Sequence, residues 1–98
     1  MAISLTARER SHLKARAHAL EPSVQVGQAG LTDRVIKEID RALTAHQLIK
    51  VKIDADRDTR DALGEEICVK TDAAWVQQVG KVIVLWRPTE EKGEDADD

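Results

Sequence analysis

The chain has 98 residues, of which 42% are hydrophobic and 34% charged, so it can form one hydrophobic core but not two. No window approaches the ~20 consecutive apolar residues of a membrane helix, the first residues lack a signal-peptide profile, and we expect a cytoplasmic protein without a membrane partner. The formal net charge of −3 at pH 7 conceals an uneven distribution, because residues 1–52 carry +4, residues 53–88 carry −2 and residues 89–98 carry −5.

The first predicted element is a helix that begins near residue 6. Thr6 and Glu9 have the spacing of a capping box, in which each side chain binds the backbone N–H of the other residue. Apolar residues recur at positions i, i+4 and i+7 and predict one buried face: Leu13, Ala17 and Leu20. Pro22 is expected to end the segment, because the residue before a proline is disfavoured in a helix.

A basic stripe runs beside this apolar face and consists of Arg10, Lys14 and His18. Most charged helix faces are simply solvated. Here the imbalance of charge favours a polyanionic ligand, because Glu9 is the only acidic residue in the predicted helix.

The stretch Gly27-Gln28-Ala29-Gly30 links a short apolar strand, residues 23–26, to a second helix. Glycines allow a ligand to approach the backbone closely, and the helix N-terminus supplies unpaired N–H groups with a partial positive charge. This arrangement suits a phosphate group. The alternative is that both glycines only provide the positive φ angles of a tight turn.

The second helix, residues 31–43, has the most regular amphipathic pattern in the chain. Its apolar arc consists of Leu31, Val35, Ile36, Ile39, Ala42 and Leu43. Thr32 is the expected N-cap. A basic ridge lies on another side of the helix and consists of Arg34, Lys37 and Arg41. Alternatively, Glu38 and Asp40 pair with this ridge on a solvated face.

The next strand, residues 48–53, alternates apolar and basic side chains. Asp58 is the N-cap candidate of a third helix, residues 59–70. The predicted buried side of that helix consists of Ala62, Leu63, Ile67 and Cys68. Gly64 weakens the helix by about 1 kcal/mol relative to alanine. Cys68, the only cysteine, is expected to be a buried, reduced thiol.

Residues 73–79 and 82–87 flank Gly80-Lys81 and predict a β-hairpin, in which Trp75 and Trp86 pack against the core rather than stack on bases. Residues 89–98 contain six acidic residues and one lysine, and we expect this tail to be disordered. The folded domain is then residues 1–88.

The predicted fold class is α/β, with the element order α-β-α-β-α-β-β and a mixed four-stranded sheet. The first two strands are expected to be parallel, because a helix connects them, and the last two antiparallel. Helices are expected to cover at least one face of the sheet.

The sequence offers little chemistry for catalysis. The three histidines and the single cysteine lack the spacing of metal ligands, and the aspartates of residues 54–61 lack the glycine of a calcium loop. No serine or cysteine has a neighbouring base, and the glycine loop lacks the Lys-Ser/Thr of nucleotide hydrolases. We expect no enzymatic activity, metal, cofactor or small-molecule substrate.

Over residues 5–88 the chain resembles a known family, the stand-alone bacterial CRM domain of the YhbY type. The residues that carry the resemblance are Leu13-Lys14, Ala17-His18, Leu20, Pro22, Val26–Thr32, His46–Lys52, Val79–Lys81 and Leu85–Pro88. Members of that family bind RNA, and their mixed four-stranded sheet packed with helices resembles the C-terminal domain of translation initiation factor 3. The bacterial single-domain members are associated with precursors of the large ribosomal subunit.

The resemblance implies that Gly27, Gln28, Ala29 and Gly30 form an RNA-contacting loop. The basic residues that complete the candidate RNA-binding set are Arg10, Lys14, His18, Arg34, Lys37 and Arg41. Lys14 and His18 match the family pattern Leu-Lys-x-x-Ala-His, and Trp86 stands where a tyrosine is common. The expected partner is ribosomal RNA or a pre-ribosomal particle, bound by a monomer.

The acidic tail departs from the family, whose members often end with basic residues. It is expected to compete with RNA intramolecularly. The alternative function is a protein-interaction adaptor whose acidic tail docks a basic partner, and such an adaptor should expose an apolar patch.

Overall fold

The computed structural model describes residues 5–88, which form three helices and one four-stranded sheet. The elements are α1 (Ala7–Ala17), β1 (Pro22–Val26), α2 (Asp33–His46), β2 (Leu48–Ile53), α3 (Arg57–Thr71), β3 (Ala74–Val79) and β4 (Val82–Trp86). The predicted element order is confirmed. The predicted disorder of the tail concerns residues outside the described range. Among the helices described, none is long and apolar enough to cross a membrane.

The sheet has the strand order β1-β2-β4-β3. As predicted, β1 and β2 are parallel and β3 and β4 are antiparallel, and β4 also pairs with β2 in the antiparallel sense. At one end of the sheet, Val26 is in register with Ile53, and Lys52 with Val82. At the other end Leu48 is in register with Trp86. The glycine loop therefore follows one end of the sheet, and the chain leaves β4 at the opposite end.

Helices cover both faces of the sheet. α2 and α3 pack on the face that carries Ile49, Val51 and Ile53, which are at most 1% exposed. α1 packs on the opposite face, where Leu13 and Ala17 form a smaller cluster with Leu48, Val76, Val84 and Trp86. One apolar layer therefore lies on each side of the sheet.

The capping box at the start of α1 is confirmed, since Thr6 Oγ1 accepts from Glu9 N and Glu9 Oε1 accepts from Thr6 N. The predicted end of this helix is wrong. α1 ends at Ala17 with His18 as its C-cap, and Pro22 begins the first strand. Leu20 therefore lies beyond the helix and is 36% exposed, outside the buried face.

The N-cap of α3 is Asp56 and not Asp58. The Asp56 side chain accepts a hydrogen bond from Thr59 N at 3.1 Å, and the hydrogen bonds to Thr59 lower the pKa of Asp56. The helix therefore begins at Arg57.

The buried face of α3 also differs from the prediction, because Ala62 is exposed and Gly64 is buried. A Cβ atom at position 64 would lie 2.6 Å from two ring atoms of Trp75. The absence of a side chain at Gly64 is therefore what lets the half-buried Trp75 ring reach the core. The predicted packing of both tryptophans against the core is confirmed.

We expect Gly64→Ala to destabilise the domain by roughly 1–2 kcal/mol, because overpacking against the Trp75 ring outweighs the better helix propensity of alanine. Urea denaturation measures this change. In a Trp75→Leu background the smaller side chain leaves room, and the same substitution should then cost nothing. A higher unfolding midpoint for Gly64→Ala alone would show that propensity decides at this site.

Candidate functional site

The glycine loop connects an edge strand to the N-terminus of α2. Gly30 N donates to Gly27 O at 3.0 Å, and Thr32 Oγ1 accepts from Val35 N at 3.2 Å as the predicted N-cap. Gln28 and Ala29, at the tip of the loop, are exposed. The backbone of the loop is therefore open to a ligand.

The two glycines of the loop have different conformations. Gly30 has a φ of +77°, in the left-handed region that favours glycine. Gly27 does not have a positive φ, so the alternative that both glycines supply such an angle is right for Gly30 and wrong for Gly27. Apart from its chain neighbours, no described residue has an atom within 4 Å of a Cβ at Gly27. Nothing in the described part of the chain requires glycine at position 27.

A groove of about 250 Å³ lies between α1 and the part of the sheet that α1 leaves open. Its lining residues are Lys14, Ala17, His18, Lys50, Gln77, Val79, Val82 and Val84, and we call it the α1 groove. Two of these side chains are lysines, one is a histidine, and none is acidic. Lys50 Nζ also donates to Leu20 O at 2.9 Å and so holds the turn that follows α1.

The sheet surface continues the α1 groove towards the glycine loop. Lys52 is exposed two residues beyond Lys50 on the same face of β2. It is in register with the exposed Gln25 of β1 and with Val82 of β4. Val79, on the edge strand β3, is 58% exposed. α1 leaves this end of the sheet uncovered.

Lys50, Lys52 and Gln25 are not among the residues predicted from the sequence to bind RNA. Two features predicted from the sequence could have identified these residues: the alternation of apolar and basic residues in β2, and the parallel pairing of β1 with β2. Together they place Gln25 beside Lys52 on the face opposite the buried isoleucines. The sequence did not indicate the face of the sheet on which α1 packs, and so did not indicate that these residues lie near Lys14 and His18.

Arg10, the first residue of the predicted basic stripe, has a structural contact. Its side chain donates from Nη1 to the carbonyl oxygens of Trp75 and, at 2.8 Å, Val76. These carbonyls lie where the register of β3 shifts by a β-bulge. Arg10 therefore fastens α1 to an edge strand, and its contact with RNA stays a prediction.

The predicted basic residues of α2 lie on the other side of the sheet. We call this surface the α2 ridge: Arg34, Lys37 and Arg41, all exposed. Arg34 Nε lies 3.6 Å from Glu38 Oε2, and because the Arg34 side chain is 88% exposed, this ion pair is weak. Asp40 pairs with Arg87 instead of the ridge, at 2.7 Å. The basic candidate residues are therefore divided between two surfaces, one beside α1 and one on α2.

Residues 5–88 contain no group of three or more His, Cys, Asp or Glu placed to hold a metal ion. Cys68 is buried and unpaired, as predicted. Burial, with a smaller contribution from the Glu65 carboxylate, raises the pKa of Cys68 to about 11. Its thiol stays protonated at neutral pH and is a poor nucleophile.

Comparison with known proteins gives consistent results. The family model of the CRS1 / YhbY (CRM) domain matches residues 5–87. An RNA-binding protein of Haemophilus influenzae is 45% identical over 89 residues, which cover 90% of each chain. The Bacillus subtilis protein YqeI, named as a candidate RNA-binding protein, is 36% identical over 89 residues, 89% of this chain and 92% of its own.

A solved structure shares the fold. The solution structure of a Staphylococcus aureus protein, described as a candidate RNA-binding protein, superposes with a TM-score of 0.79. The two sequences are 33% identical, and the match covers 93% of this chain and 96% of the other. The relationship therefore extends over the whole domain.

Proposed function

Because this chain belongs to the CRS1 / YhbY (CRM) domain family, we propose that it binds structured ribosomal RNA and acts in assembly of the large ribosomal subunit. The names of its relatives support RNA binding. The resemblance to the stand-alone bacterial members supports the ribosomal role. The proposed contacts are the glycine loop, the α1 groove and the α2 ridge.

The observation that carries the proposal is the unbalanced positive charge beside α1. Lys14, His18 and Lys50 line the α1 groove, whose lining includes no acidic residue, and Lys52 extends it. Glu9, the only acidic residue of α1, is engaged in the capping box. Such a surface neutralises phosphates and releases their counterions, which is the main source of affinity for a nucleic acid.

The aromatic residues support contacts with the RNA backbone rather than with splayed bases. The chain has no Phe or Tyr. Trp75 packs on Gly64 and the main core, and Trp86 packs in the cluster under α1. Proteins that bind single strands stack bases on exposed aromatic rings. A surface of lysines and backbone N–H groups suits the phosphates of a folded RNA better.

The glycine loop is proposed as a backbone contact. The loop is exposed, and no described atom lies near the missing Cβ of Gly27 or Gly30. It leads directly into α2, whose N-terminus favours anions. A phosphate at the loop would accept hydrogen bonds from main-chain N–H groups.

The adaptor alternative finds less support. The large exposed hydrophobic residues of the described chain are Leu20, Val69 and Val79. They belong to three different segments: the turn after α1, α3 and the edge strand β3. The basic residues of the α1 groove and the α2 ridge favour RNA as the ligand.

The first test concerns the lysines. We expect Lys14→Gln or Lys52→Gln to weaken binding to a stem-loop of large-subunit ribosomal RNA roughly three- to tenfold, because each removes a phosphate contact. Each should also make the negative slope of log K against log salt less steep by ~0.7–0.9, which corresponds to the loss of one phosphate contact. Fluorescence anisotropy at several salt concentrations measures both.

Lys70→Gln is the matched control for this test. Lys70 lies on α3, 3.1 Å from Glu66, and its replacement removes the same charge away from the proposed surface. Its affinity for the stem-loop should stay close to that of the wild type. An equal loss in all three variants would show that net charge, and not the α1 groove, determines binding.

The second test places charge in the glycine loop. The double substitution Gln28→Asp, Ala29→Asp should weaken RNA binding roughly tenfold, because two carboxylates would repel the phosphates. Stability should change by no more than ~0.5 kcal/mol, because both positions are exposed. The uncharged double substitution to Asn has nearly the same shape and is the control. Normal RNA binding by the Asp variant would remove the loop from the interface.

The third test identifies the RNA in cells. Sequencing of RNA crosslinked to the protein in its native cells should give reads concentrated on precursors of large-subunit ribosomal RNA. The same experiment with the Gln28→Asp, Ala29→Asp variant measures the background of non-specific crosslinks. Reads spread over messenger or small-subunit RNA would contradict the ribosomal role and leave RNA binding itself intact.

A further inference from the structure

The end of the described chain is fixed against α2. Arg87 donates from Nη1 to Asp40 Oδ1 at 2.7 Å, and from Nη2 to Asp40 O at 3.0 Å and Thr44 Oγ1 at 2.9 Å. Its backbone N also donates to Gln47 O at 2.9 Å. The Arg87 side chain is only 16% exposed. Residue 88 therefore leaves the domain beside the C-terminal half of α2.

The surface at this exit is part of the α2 ridge. A shallow depression on α2 is lined by Lys37, Asp40, Arg41, Thr44 and Ala45. Asp40 and Thr44 are the two residues that hold Arg87. Arg87 pairs with one oxygen of the Asp40 carboxylate, so the negative charge of Asp40 is balanced by Arg87 and not by Lys37 or Arg41. Neither of these basic residues has an ion pair within the described chain.

The segment that follows has the complementary charge. Residues 89–98 carry −5, from six acidic residues and one lysine. Ten extended residues reach at most about 36 Å, whereas the 14 residues of α2 span about 21 Å. A segment tethered so close to its site has an effective concentration in the millimolar range. The α1 groove, in contrast, lies on the opposite face of the sheet.

We propose that residues 89–98 bind the α2 ridge in the free protein and are displaced from it by RNA phosphates. The tail then covers the α2 ridge and leaves the α1 groove and the glycine loop accessible. The part of this inference that concerns displacement rests on the proposed function. The intramolecular contact does not, and it is tested without RNA.

The first experiment compares amide NMR spectra of two full-length proteins at low salt. One is the wild type, and in the other the six acidic residues of the tail are replaced by Gln or Asn. We expect shift differences on residues 34–45 of α2. They should vanish at ~1 M salt, where the Debye length is about 3 Å.

A ridge variant provides the control for the NMR experiment. In a protein with Lys37→Gln and Arg41→Gln, neutralisation of the tail should no longer shift the amides of α2. Differences concentrated on residues 14–18 and 50–52 would place the tail in the α1 groove and overturn the proposal. Differences confined to the tail itself would also overturn it.

The second experiment measures RNA affinity in a double-mutant cycle. Neutralisation of the tail should tighten binding of the ribosomal stem-loop about fivefold in the wild-type background, as expected for an intramolecular competitor. The gain should be lost in the ridge variant and kept in Lys14→Gln. An equal gain in the wild type and the ridge variant would mean that the tail repels RNA without docking, and would overturn the proposal. If no variant binds RNA, the proposed function fails, and the NMR experiment still decides the contact.

Discussion

Strand β2 has two unlike faces, and the layout of the domain follows from this difference. Ile49, Val51 and Ile53 must be buried, and α2 and α3 together cover them almost completely. The other face carries Lys50 and Lys52, which cannot be covered by an apolar helix without a large desolvation cost. α1, with 11 residues, buries only Leu13 and Ala17 and covers one end of that face. The α1 groove is the part of the sheet that the lysines keep open.

Basic residues in the described part of the chain differ in their partners, and sequence composition does not distinguish them. Arg10 and Arg87 donate to backbone carbonyls and link elements that are distant in the chain: α1 to β3, and the end of β4 to α2 and α3. The planar guanidinium is suited to such multiple contacts. Lys14, Lys37 and Lys52 have no such partner within residues 5–88. These three lysines are divided between the two faces of the sheet.

Local signals predicted most of the fold, and contacts between distant residues explain the errors. The capping box of α1, the Thr32 N-cap and the alternation in β2 each depend on a few neighbouring residues and were predicted correctly. The exposure of Ala62 and burial of Gly64 depend on the Trp75 ring, which arrives from β3. The role of Arg10 depends on carbonyls 65 and 66 residues away. The face of the sheet on which each helix packs decided which basic residues share a surface, and no local pattern contains that information.

The two glycines of the glycine loop are explained by different physical requirements. Gly30 satisfies a demand of the fold, because its φ of +77° is costly for a residue with a Cβ atom. Gly27 meets no such requirement, because its φ is not positive and, apart from its chain neighbours, no atom of residues 5–88 lies within 4 Å of where its Cβ would be. A side chain there would lie at the surface, away from the other residues of the described chain. The loop therefore combines one glycine that shapes the turn with one that keeps its surface accessible, next to a helix N-terminus that attracts anions.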